Sequence, residues 1–264
     1  MIEIRTQLQP KIHTEDITCN AVVVCKGKNT KLDFHSLILG KQMCSFVVDA
    51  LCDYPTTTID EYDDYFKIAK DHCGNFDYTI VIGGNLPLLS VSDMQNLVQY
   101  AIFKNANLVK FTGGYVVKNS YLKNTANPMC DNVYTQDFED FYLVENKTQL
   151  RQVTKIIQSR IIAKLDALGV EILGKVQIDI DVQIDGGAVI FGGNVIKGFS
   201  HIANGVILKE YIVIEDSFLG EGSCLSYSVI TNSHIGKNCY IGPFAELNGV
   251  KLVDNQTIKG NKEK

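Results

Sequence analysis

Eight aliphatic residues fall six apart between Ile172 and Ile214: Ile172, Ile178, Ile184, Ile190, Ile196, Ile202, Leu208 and Ile214. The beat continues at Leu219, Leu225, Ile230, Ile235, Ile241 and Leu247, with three steps shortened to five. Two residues before most beats stands a small or β-branched residue, such as Ala188, Ser200, Val206, Ser217, Ser223 or Ser233. A period of six belongs neither to a helix nor to a flat strand, so it requires short strands stacked in coils and joined by tight corners. Each aliphatic side chain then points into a narrow core. Gly and Asn between the beats (Gly174, Gly193, Gly198, Gly205, Gly222, Asn238) supply the positive φ that corners need. About fifteen hexads at three per coil make roughly five coils of a parallel β-helix. Such an array leaves open ends and an exposed sheet face, so self-association is expected.

The array claims only the last hundred or so of 264 residues, which leaves room for a second domain. The net charge of −5 and the lack of a Lys/Arg block disfavour nucleic acid as a partner. No apolar run reaches the roughly twenty residues of a membrane span, and no secretory signal is seen. The eight cysteines are scattered without a C-x-x-C pair, and read as reduced, mostly buried thiols of a cytoplasmic protein. Cys44 and Cys52 are both expected in the core.

The first 150 residues have a different texture. Cys19–Cys25 (CNAVVVC) and Asp77–Ile82 (DYTIVI) read as buried strands, each followed by a Gly-containing loop. Ser45–Cys52 and Ser92–Phe103 have helical spacing, with Ser92 as the expected N-cap. Another strand is expected over Asn105–Tyr115, and a loop over Lys118–Asn132. The acidic run Asp60–Asp64 reads as a solvated helix start. Strand–loop–helix units in series imply a mostly parallel α/β sheet with its binding site at the C-terminal strand ends. A helix over Lys147–Leu168, capped by Gly169, would link the two domains, giving boundaries at 1–146, 147–168 and 169–264.

In order along the chain, these segments resemble the bifunctional N-acetylglucosamine-1-phosphate uridyltransferase/glucosamine-1-phosphate acetyltransferase (GlmU-type) family. That family's A-A-G-x-G-T-R-M loop resembles Cys25–Leu32, its G-K-P-M resembles Gly40–Met43, and its Y-G-D-V-P-L resembles Ile82–Leu88. Its G-V-N-x-R-x-Q-L resembles Leu143–Leu150, although the same stretch also matches its I-V-E-x-K; the spacing to the following helix favours the first. Its G-P-F-A corner resembles Gly242–Ala245. The resemblance implies an abbreviated Rossmann-like nucleotidyltransferase-type domain followed by a left-handed hexapeptide β-helix, assembled as a homotrimer. It implies a nucleotide or sugar-phosphate ligand held by Gly27, Asn29, Thr30, Gly84 and Gly114. Lys31 stands where the family's catalytic Arg lies, as a point charge without the bidentate fork.

The departures bear on activity. The family's metal-binding Asp and Asn correspond to Asn85 and Glu145. An amide in place of a carboxylate weakens a hard-cation site such as Mg²⁺, while Glu145 restores one negative charge. The Lys of the family's P-K pair has no counterpart, and its sugar-binding centre is largely missing. The G-P-F-A-R-L-R-P arginines are replaced in Gly242–Gly249, and the array runs out before the family's catalytic His, so no acetyl-CoA is expected. His201 and His234 each precede an inward aliphatic residue and so face outward, with no acid beside them in sequence. They read as structural surface residues. The expectation is therefore a uridyltransferase-related protein with weakened or lost turnover. The alternatives are a sugar-nucleotide-binding or scaffold protein trimerised by its β-helix, or a hexapeptide acyltransferase.

Overall fold

The computed structural model of the chain describes residues 17–26, 32–60, 64–135 and 140–260. These form two compact units, one from residues up to His35 together with Met43–Asn146, the other from Ser36–Gln42 together with Lys147 onward.

The first unit contains β1 (Cys19–Val24), and the hairpin β2 (Leu37–Ile38) and β3 (Lys41–Gln42) that follows belongs to the second. The chain continues through α1 (Met43–Ala50), β4 (Thr56–Ile59), α2 (Tyr65–His72), β5 (Tyr78–Gly83) and α3 (Val91–Phe103). It then forms β6 (Leu108–Phe111), β7 (Gly114–Lys118), α4 (Asn119–Asn124) and β8 (Asn132–Val133). The sheet order is β4-β1-β5-β7-β6-β8. Strands β4, β1 and β5 are parallel, whereas β7 runs antiparallel to both β5 and β6. The sheet is thus mixed, with a parallel core and one hairpin let into it. β1 and β5 are almost wholly apolar and buried along their length, as strands covered on both faces must be.

Local chemistry sets the element ends. Ser90, not Ser92, caps α3: its hydroxyl accepts from Asp93 N, and the Asp93 carboxylate accepts from Ser90 N at 2.8 Å, a reciprocal capping box. Asp64, the last of the acidic run, caps α2 by accepting from Phe66 N and Lys67 N; residues 61–63 lie outside the described residues. The expected loop after Lys118 instead begins with α4. Tertiary hydrogen bonds drive that short helix: buried Asn119 donates to Cys73 O and Phe76 O and accepts from Thr79 Oγ1, while Leu122 is fully enclosed. Cys52 falls past the end of α1 and is exposed, while Cys44 is buried as expected.

In the second unit, α5 (Lys147–Ala167) buries Val153, Ile157 and Leu165 and ends before Gly169 at φ +82°. Fifteen short strands follow between Glu171 and Ile258, in three sheets of five, four and six strands. Every inter-coil pair is parallel and keeps beat against beat: Ile178 beside Ile196, Ile196 beside Ile214, Ile214 beside Ile230. The beat residues from Ile178 to Ile241 form one core, nearly all with no exposed surface.

The small residues two before the beat do more than fit. Ser217 N donates to Ser200 Oγ, Ser233 N to Ser217 Oγ, and Val250 N to Ser233 Oγ, so one serine per coil ties the next coil's backbone. Buried Asn194 does the same at its level, donating to Phe191 O and Leu208 O and accepting from Ile212 N at 2.7 Å. Where the slot holds a serine or Asn194, the side chain also satisfies a buried N–H of the next coil.

Two outcomes are expected. Ser217→Ala leaves Ser233 N–H buried without its partner and costs about 1–3 kcal/mol in urea unfolding. In the first unit, hydrogen bonds from Thr18 N and Oγ1 hold the Asp77 carboxyl below its ordinary value. Because that pKa is lowered by folding, its stabilisation is present above about pH 4 and is lost as pH falls through the folded value. The stability gap between the native chain and Asp77→Asn, measured by urea unfolding across pH 3–7, therefore closes on the acid side.

Candidate functional site

The C-terminal ends of β4, β1 and β5 meet at one edge of the first unit. Cys25 N donates to Ile59 O at 2.7 Å, Gly84 N to Val24 O at 2.8 Å, and Gly83 N to Gly113 O at 2.9 Å. Gly84 is pressed against α1: a Cβ there would stand 2.8 Å from Cys44 Cβ. Gly114 is pressed against β5, and a Cβ would collide with Val81 O. Gly113, at φ +87°, makes the β6–β7 turn. Packing alone therefore requires glycine at both 84 and 114. The residues Gly27, Asn29, Thr30 and Lys31 lie outside the described residues.

Asn85 is buried, and its role is specific. Its Nδ2 donates to Val144 O at 3.0 Å, while Val144 N donates to Asn85 O at 2.9 Å. This double clamp fastens the segment before Glu145 to the end of β5, although the two lie 59 residues apart. The two positions matched to metal ligands are thus drawn to one place. The amide nitrogen is what makes the clamp, and a carboxylate has no hydrogen to give Val144 O. Glu145 is exposed. Among the described residues no three His, Cys, Asp or Glu side chains form a group able to hold a metal. The described donors do not fit a hard-cation site of several oxygens.

The second unit carries a groove of about 420 Å³ along its four-stranded sheet, lined by Asp185, His201, Phe218, Glu221, His234 and Lys237, among others. His201, Phe218 and His234 occupy the same outward position on successive coils. The Phe218 ring meets His201 edge-on at 5.3 Å and stacks on His234 at 4.6 Å with 13° between planes. His201 Nε2 lies 3.1 Å from Asp185 Oδ1, and Lys237 Nζ lies 3.1 Å from Glu221 Oε2. The outward placement of both histidines agrees with the spacing, but the acid beside His201 was missed. It sits 16 residues upstream, one coil below, where only the coil repeat would find it. The groove pairs opposite charges around an aromatic stack.

No helix of the described residues is long and apolar enough to cross a membrane. No family model matches the chain. It is 37% identical over 137 residues to the bifunctional protein GlmU of Picosynechococcus sp., covering 50% of this chain and 30% of that protein. It is 30% identical over 131 residues to the bifunctional protein GlmU of Cyanothece sp., covering 49% and 29%. The same-named protein of Streptococcus mutans is 33% identical over 127 residues, covering 47% and 28%. A mixed α/β sheet followed by a parallel β-helix of hexapeptide repeats defines the structural class. Within that class the chain is a partial, diverged relative of the GlmU-type family. It spans less than a third of the length of these relatives.

Replacing the clamp's amide by a carboxylate tests whether Asn85 is structural. Asn85→Asp removes the donor to Val144 O and brings a charge into a buried place, so the expected loss is about 1–3 kcal/mol at pH 7 by urea unfolding. The loss shrinks as pH falls and the new carboxyl takes a proton.

Proposed function

We propose that the chain is a uridyltransferase-related protein of amino-sugar nucleotide metabolism that binds a nucleotide or sugar phosphate and has weak or no turnover. The observation that carries this reading is the Asn85–Val144 clamp. The position matched to a metal-binding carboxylate holds an amide committed to the backbone. Electrophilic help for phosphoryl chemistry is correspondingly reduced, while the backbone at the strand ends is held in place. In this reading Gly27, Asn29 and Thr30 contribute to phosphate binding, and Lys31 adds a point charge. Gly84 and Gly114 let the backbone segments at this edge approach closely. Glu145 follows on the segment held by the clamp. Mg²⁺, if it enters, arrives with the phosphates and is not caged by the protein.

The β-helix serves assembly, and a homotrimer is the expected state. Its outward positions on two sheets are largely apolar: Val195, Val213 and Val229 on one, and Val189, Ile207, Cys224 and Tyr240 on another. Val229, Tyr240 and Ile207 are each about 40% exposed. Parallel ladders of this kind are buried when a second copy covers them.

Thermal unfolding with UTP, UDP-N-acetylglucosamine or acetyl-CoA, each with and without Mg²⁺, tests the ligand. A native-state ligand at a hundred times its dissociation constant adds about 2.7 kcal/mol. The expected outcome is stabilisation by UTP or the UDP-sugar and none by acetyl-CoA, with slow or absent pyrophosphate release. Stabilisation by acetyl-CoA alone would support the acyltransferase alternative, and no response to any of the three would leave only the scaffold. Sedimentation is expected to give three copies, falling apart in a Val213→Glu, Val229→Glu double variant.

A further inference from the structure

A cluster of nucleophilic and titratable side chains at the strand edge takes no part in this reading. Cys25 follows β1 directly, and Asp60 follows β4 directly. Cys44 lies in the first turn of α1, and His35 shortly precedes that helix. The four come together although the first and last lie 35 positions apart in sequence. Cys44 Sγ is 3.7 Å from His35 Nδ1, and His35 Nε2 is 3.1 Å from Asp60 Oδ1. A thiol, an imidazole and an orienting carboxylate therefore stand in line. Asp60 fixes the imidazole so that Nδ1 faces the sulfur.

A second thiol completes the set. Gly84 brings Cys25 beside Cys44: its N donates to the O of Val24, the residue before Cys25, at 2.8 Å, and its Cα faces Cys44 Cβ. Burial first, then the neighbouring Cys44 and Asp60, push the Cys25 thiol up to about 12. Of the two sulfurs, then, Cys44 has the base and Cys25 keeps its proton. An acyl-transfer nucleophile would have no use for the second thiol, whereas a redox pair needs it. Both sulfurs are buried, while His35 and Asp60 open to solvent, so the reactant must be small.

We propose that Cys44, with His35 as its base and Asp60 orienting that base, is a peroxide-reactive thiol that closes a disulfide with Cys25 at the C-terminal edge of the sheet. His35 takes the Cys44 proton. The thiolate attacks one oxygen of a hydroperoxide, the O–O bond breaks, and the departing hydroxide takes the proton from His35 and leaves as water. Cys44 is then a sulfenic acid, oxidised by two electrons. Cys25 sulfur attacks it, its proton joins the displaced hydroxide as a second water, and the S–S bond forms. Two thiols and one hydrogen peroxide give one disulfide and two waters. The attack needs Cys25 to release its proton, which is easier once Cys44 carries no charge.

The full chain, reduced and then exposed to graded hydrogen peroxide, tests this by alkylation and peptide mass spectrometry. The expected product is a peptide pair joined through Cys25 and Cys44, lacking two hydrogens and restored by dithiothreitol. It should form before the exposed Cys52 and Cys130 are modified. In Cys25→Ser, a sulfenic-acid probe should label Cys44. His35→Gln should slow Cys44 oxidation at least about tenfold, a small share of what a positioned acid–base group contributes. Modification of Cys52 and Cys130 should keep its native rate in that variant. If Cys25 and Cys44 stay reduced in the native chain while Cys52 and Cys130 oxidise, the proposal fails. It also fails if His35→Gln oxidises Cys44 at the native rate.

Discussion

The second unit rests on one constraint: each short strand must pair with the strand one coil away and keep its side chain in register with it. Parallel pairing of two- and three-residue strands supplies few hydrogen bonds each, so none would persist alone. Stability comes from stacking. The aliphatic beat gives every coil an apolar plug that touches its neighbours above and below, and the serines and Asn194 satisfy the N–H groups that this stacking buries. The same constraint acts on the outside of the coil. Outward residues at equal positions are forced into ladders about one strand spacing apart, whatever their type. His201, Phe218 and His234 stack for that reason, and the groove beside them follows from the geometry of the repeat.

The corners show how the repeat tolerates its own irregularity. In the early coils the left-handed residue is glycine, as at Gly187, Gly193, Gly198 and Gly205. In the later ones, besides Gly222 and Gly249, it is often Tyr211, Asp216, Tyr227, Asn232, Asn238 or Phe244, these six with φ between 44° and 64°. Three of these, Asp216, Tyr227 and Asn232, lie in the five-residue steps. A shorter step leaves one residue fewer to reverse the chain, so the turn is made whether or not glycine is present. For Asp and Asn the cost is small, since both reach this region readily. For Tyr211, Tyr227 and Phe244 it is larger, and part is offset because their rings lie against one another at 5.7 and 6.3 Å.

What could be read from the sequence follows from the same physics. A fixed period over eight beats carries information in every residue, so the coils, the core positions and the outward histidines were legible. The small slot was read as a matter of size. Its hydrogen-bonding duty was hidden, because the partner N–H lies 16 or 17 residues away. In the first unit, β1, β5, α1 and α3 follow from apolar runs and helical spacing. The cap of α3 was displaced by two residues because Ser90 and Ser92 both precede an apolar run, and only Ser90 stands three before Asp93. α4 escaped notice because buried Asn119 holds it from outside, through bonds to Cys73, Phe76 and Thr79. The fold of Ser36–Gln42 with the second unit also left no trace in composition. Leu39 O accepts from Ile180 N, and Gly40 at φ +85° lies against Asp179, contacts that no local pattern announces.

The strand edge shows why a site can be harder to read than a fold. In a parallel sheet, the chain leaves each strand at the same edge, so residues immediately after β1, β4 and β5 become neighbours irrespective of their separation. Cys25, Asp60 and Gly84 meet on that account alone. What each then does depends on partners from elsewhere: Gly84 yields to α1, Asn85 is taken up by Val144, and Cys25 faces Cys44. A motif comparison weighs residue 85 as a metal ligand lost. The geometry adds that the replacing amide does work a carboxylate could not do, because only it can donate to Val144 O. At this edge a structural donor holds the chain in place, and two thiols, an imidazole and a carboxylate stand within reach of one another beside it.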